Sequence, residues 1–75
     1  MALPVDVRRA RLLDPLDLPG PVGTPVHLDA GPCEASDFGE FMELSQPGDA
    51  QRTVRLSHHE VDELAHQAHL AFLPW

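Results

Sequence analysis

The residues best equipped for chemistry are histidines, four of which crowd between His58 and His69. His59, Glu63 and His66 fall at i, i+4 and i+7, and His58, Asp62, His66 and His69 at i, i+4, i+8 and i+11. On one helix both sets line a single face, where an imidazole and a carboxylate one turn apart can chelate a divalent ion. His59, Glu63, His66 and His69 are therefore the candidate metal ligands. The order is not H-E-x-x-H, since the second histidine arrives seven residues after the first. A further ligand would have to come from Cys33 or His27. The same pattern equally describes a solvated polar face, and no cofactor is expected. Were that face buried in a complex, the contact would respond to pH near about 6 to 7.

Other chemistries find less support. Cys33, in GPCEAS, is the single cysteine. A catalytic thiol needs a base, an orienting group and oxyanion donors, and none is suggested here. Gly20, Gly23 and Gly31 alternate with prolines and match neither a phosphate loop nor a dinucleotide fingerprint. The chain is read as non-enzymatic. Residues 12–51 carry eight acids and no base. They could mimic a nucleic acid and inhibit its binding protein, but mimicry calls for carboxylates on one continuous face, and these are scattered through proline-rich loops. Ordinary solubility accounts for a net charge of −7.

The element that would position the histidines is RTVRLSHHEVDELAHQAHLAFL, a short strand running into a capped helix. Ser57 and Glu60 have the spacing of a capping box, and Leu56 and Val61 that of a hydrophobic staple. Val61, Leu64, Ala65, Ala68, Ala71 and Phe72 recur at helical period as one apolar stripe. Pro74 forbids continuation, so the expected helix covers about 58–73. This stretch resembles the opening helix of the small C subunit of tRNA-dependent amidotransferases, which runs I-S-x-E-E-V-x-x-I-A-x-L-A-R-L-x-L. Ser57, Glu60, Val61, Leu64, Ala65, Ala68 and Leu70 match in register. The resemblance implies a non-catalytic subunit that wraps an amidase partner. It spans under a third of the chain and lies at the C-terminus here, whereas a long segment follows in that family. The chain is not assigned to the family.

Upstream, residues 3–13 lean towards an extended start that breaks at Pro15. Residues 14–25 hold four prolines and two glycines in twelve positions, which blocks helix and central strand alike. Leu16, Leu18 and Val22 are nonetheless apolar, as suits an arm lying on its own or a partner's surface. Val26, Leu28 and Ala30 alternate with His27 and Asp29 as a half-buried strand. Met42 and Leu44 alternate with Glu43, while Phe38, Phe41 and Met42 have helical spacing. The Pro47-Gly48-Asp49 turn, followed by Val54 and Leu56, favours a hairpin. The expected fold is α+β: a small antiparallel sheet made of that hairpin and one or two further short strands. The C-terminal helix packs on one face, a proline-rich arm spans 1–25, and the folded unit spans 26–75.

A domain this small has little core to spare, so a larger protein partner or self-association is expected. No run reaches the roughly 18 apolar residues of a membrane span. No apolar stretch follows Arg8, Arg9 and Arg11, so no signal peptide is expected, and a lone cysteine suits the cytoplasm. With no basic stripe, direct nucleic-acid binding is not expected. The resulting reading is a small acidic accessory subunit, regulator or inhibitor that binds a larger protein. Leu16, Leu18, Val22, Phe72 and Trp75 are its candidate contact residues, because apolar and aromatic side chains anchor interfaces.

Overall fold

The computed structural model describes residues 3–20, 23–47 and 52–74. Among these residues seven strands and one helix follow in order: β1 (Asp6–Leu12), β2 (Leu16–Pro19), β3 (Pro25–Leu28), β4 (Gly31–Asp37), β5 (Met42–Gln46), β6 (Arg52–Leu56), α1 (His58–His66) and β7 (Leu70–Phe72). Five strands form an antiparallel sheet in the order β6-β5-β4-β1-β7, and β2 pairs with β3. The fold is thus mostly antiparallel sheet with one short helix, a small α+β arrangement.

β1–β2 and β3–β4 are two arms of one long bent hairpin. Leu12 pairs with Gly31 and Leu16 with Leu28, so residues 13–15 stand opposite only 29 and 30. One extra residue on one arm is a bulge, which bends the ribbon and tolerates Pro15. The distal half folds back over the sheet: Leu28 is fully buried, and Leu16, Leu18 and Val26 pack against the core. Buried Gln46 holds the bend, its amide accepting from the Asp29 N–H at 2.9 Å and donating to the Asp29 carbonyl at 2.6 Å. Arg52 ties the same corner to β6, donating to the His27 carbonyl and to the Asp29 carboxylate.

This corrects the expectation of a separate arm over 1–25. Residues 6–12 form a strand between β4 and β7, and Ala10 and Leu12 belong to the core. Pro15, Pro19 and Pro25 fall where a hairpin tolerates them, in the bulge and at strand ends. The radius of gyration, 11.6 Å, is close to the roughly 11 Å of a compact chain of this length.

The helix begins as its sequence predicts. The Glu60 N–H donates to Ser57 Oγ, and the Ser57 N–H to Glu60 Oε1, completing the capping box. Leu56 and Val61 are both buried. Its end differs, since the helix stops at His66 and not near Leu73. Ala68 is left-handed, with φ +62°, the Ala68 N–H bonds the Ala65 carbonyl, and the His69 N–H bonds the Leu64 carbonyl. This is a Schellman ending, with alanine where glycine is usual. Beyond it, Leu70–Phe72 pairs with β1, and the ladder runs on through Leu13 N–H to the His69 carbonyl and Leu73 N–H to the Arg9 carbonyl. A vacant sheet edge outcompeted three more helical residues.

Candidate docking face

The sheet has one covered face and one open face. Ala10, Leu12, Cys33, Ala35, Met42, Leu44, Val54, Leu56 and Leu70 point to the covered side, beneath the β2–β3 ribbon and α1. The alternate positions point away: Val7, Arg9 and Arg11 on β1, Glu34 and Ser36 on β4, Glu43 and Ser45 on β5, and Thr53 and Arg55 on β6. Of these, Glu43, Thr53 and Arg55 share a hollow with Pro19 and Gly20 at the end of the ribbon.

The open face has an apolar end and a charged end. Among the described residues the exposed large hydrophobics are Leu3, Val5, Val7 and Leu13, at 80%, 75%, 49% and 47%. Of these only Val7 lies within β1, in the outward phase of Arg9 and Arg11; Leu3 and Val5 precede the strand and Leu13 stands in the bulge. The Val5 N–H donates to the Asp37 carbonyl, although Asp37 is already paired with Asp6, so the regular ladder with β4 breaks there. Beyond it Phe38 and Phe41 stack, with centroids 5.1 Å apart. The Arg55 guanidinium lies 3.9 Å from the Phe41 ring centre and 3.7 Å from Glu43. At the charged end Arg9, Arg11, Pro32, Glu34, Ser45, Pro47 and Leu73 line an open depression of about 680 Å³.

The arginines differ in their attachments. Arg8 sits 4.2 Å over the Phe72 ring, Arg52 pairs with Asp29, and Arg55 pairs with Glu43. Among the described residues the Arg9 and Arg11 side chains have no ion pair, hydrogen bond or aromatic partner, in a chain whose acids outnumber its bases by twelve to five.

The histidines do not converge. His59 Nε2 is 3.9 Å from Glu63, but His69 lies past the helix, its Nδ1 2.9 Å from Asp14. The early helix end therefore removes His69 from the face that the spacing assigned to it. Both ring nitrogens of His27 are engaged, by Asp17 at 2.8 Å and Asp29 at 3.3 Å, and His58 Nε2 contacts Asp37 at 3.0 Å. Among the described residues no three of His, Cys, Asp and Glu come together as a metal site. The Asp37 carboxyl is held below the usual range, first by the Gly39 N–H it accepts from and then by His58. Cys33 is buried, and burial followed by the Glu34 charge pushes its thiol up, away from the reactive thiolate.

Of the contact residues expected from sequence, Leu16 and Leu18 are half-buried and pack against the protein's own core. Phe72 is half-buried in β7 under Arg8, on the core side. Val22 and Trp75 lie outside the described residues. The outward face of β1 was not among the residues expected from sequence, although Val7, Arg9 and Arg11 alternate with the inward Ala10 and Leu12 in one strand phase. That alternation was the available signal.

No family model matches the chain, and no match was found among curated proteins or solved structures. The likeness to the amidotransferase C subunit is confined to a helix that here ends before two of the matched positions. Ala68 is in the turn and Leu70 in β7. Among the described residues, no helix is long and apolar enough to cross a membrane.

Proposed function

We propose that this chain is a small non-catalytic protein-binding protein, an accessory or regulatory subunit whose open sheet face docks on a larger protein. One observation carries the reading: among the described residues the exposed large hydrophobics, Leu3, Val5, Val7 and Leu13, all lie in β1 or within three residues of its ends, with Val7 on the outward face beside Arg9 and Arg11. Monomeric proteins keep such apolar patches small, and a larger one marks an interaction surface. The charge pattern selects the partner's chemistry. Of the acids in the main sheet only Glu34 and Glu43 share the face, against Arg9, Arg11 and Arg55. A chain of net charge −7 thus offers a local surplus of one positive charge beside its valines. The complementary surface is apolar with an acidic border. Neither the metal reading nor the nucleic-acid-mimic reading gains a specific observation of this kind.

The test is a paired variant, Val5→Ser with Val7→Ser. Both side chains are exposed, so folding loses little, whereas burying each in an interface is worth about 1.5 kcal/mol or more. The partner recovered from the source cells, identified by mass spectrometry and purified, should bind the variant on the order of a hundredfold more weakly by calorimetry. Unchanged affinity would overturn the reading. A concentration-dependent dimer lost in the variant would replace the partner protein with a second copy.

A further inference from the structure

Resting on the docking reading, we propose that the depression beside Arg9 and Arg11 receives an extended acidic segment of the partner, with carboxylates at alternate positions. Among the described residues three arginines are tied to internal partners, and the two without any stand at i and i+2 on the same face of an inner strand. That spacing places their stems about 6.6 Å apart. Alternate side chains of an extended peptide have the same repeat, so two carboxylates in an acid-x-acid segment meet two guanidiniums in register. Each guanidinium matches a carboxylate in bidentate geometry. The rest of the lining suits a peptide better than a bare anion. Pro32, Pro47 and Leu73 provide apolar walls for the intervening side chains, and about 680 Å³ falls in the range of pockets that enclose several residues' worth of ligand.

Two features set the specificity. Glu34 stands directly across from Arg9 and lines the same depression. It leaves a local charge of +1, enough for a short acidic segment. A nucleic acid needs several phosphates neutralised at once, and the acids elsewhere on this chain repel a polyanion. Occupancy is therefore expected to fall with salt and with loss of either arginine, and to rise when Glu34 is neutralised.

The experiment is an amide-shift titration of the whole labelled chain with a terminally blocked peptide of two alternating glutamates between leucines and valines, at up to millimolar concentration. The expected result is a set of shifts centred on Arg9–Arg11, Glu34 and Ser45. Affinity should fall at least tenfold in Arg9→Gln/Arg11→Gln and increase several-fold in Glu34→Gln. No shifts, equal binding of the matching glutamine peptide, or indifference to all three substitutions would each overturn the proposal. So would equal binding of a single-stranded oligonucleotide, which would make the site a polyanion surface. The two levels separate with the purified partner. If Arg9→Gln/Arg11→Gln binds it as tightly as wild type while Val5→Ser/Val7→Ser does not, the acidic segment is excluded and the docking face stands. If Val5→Ser/Val7→Ser binds normally, the docking reading itself fails.

Discussion

Ala68 bears most of the difference between the helix expected and the helix formed. A left-handed alanine costs about 1–2 kcal/mol over its right-handed form, whereas glycine adopts the conformation freely but gives up unfolded-state entropy. Ala68→Gly should therefore raise stability by about 0.5–1 kcal/mol, a melting point higher by roughly 4 °C in a domain of this size. An unchanged or lower melting temperature would deny that the helix ends in a left-handed turn there. Because alanine is the best helix former, nothing at position 68 advertised a stop. The start was legible because Ser57 and Glu60 satisfy specific backbone groups at a fixed spacing. Asp37 makes a separate, pH-dependent prediction. Its folded-state carboxyl titrates lower than in the unfolded chain, so the folded state resists protonation. That contribution is complete above the unfolded value near pH 4 and is lost as pH falls through the folded one. Asp37→Asn should lose less stability than wild type between about pH 4.5 and 2.5 in thermal melts. Parallel curves would show that the Gly39 and His58 contacts do not favour the ionised form.

At the scale of elements, local alternation predicted β3, the β5–β6 hairpin and the extended start of β1, because period-two burial is written into Val26–Leu28, Met42–Leu44 and Val54–Leu56. The long bent hairpin was not legible. Prolines at 15, 19 and 25 discourage a strand taken alone, yet each falls at a bulge or strand end once the partner strand is present. β7 was hidden for the complementary reason. Leu70–Phe72 continues a helical stripe in sequence, and only the vacant edge of β1, nearly sixty residues earlier, turns it into a strand. The ribbon makes its own prediction. Leu16 and Leu18 are half-covered by the core, so Leu16→Ser/Leu18→Ser should destabilise the domain by about 2 kcal/mol. Thermal unfolding measures this directly. Normal stability combined with lost partner binding would return these leucines to an interface.

Across the whole molecule, the sheet on one side and the ribbon with α1 on the other enclose a single small core. The ribbon and helix carry many of the acids, while the outward face of β1 sets Val7 beside Arg9 and Arg11, which have no ion pair among the described residues. The histidines drew attention in the sequence because helical spacing implies a shared face. The fold scatters them onto separate carboxylates, so that expectation failed on tertiary grounds that spacing does not encode. The open face could be read in the sequence only from the odd positions of β1, and only by knowing that β1 is internal to the sheet. The most direct measurement is site-specific photocrosslinking in the source cells. A photoreactive residue is placed at Ser36 on the open sheet face or at His66 on the exposed helix, with adducts compared by mass. The account predicts a discrete heterologous adduct from position 36 and none from position 66. Adducts from position 66 alone, or equally from both, would contradict the claim that the bare sheet face is where this protein docks.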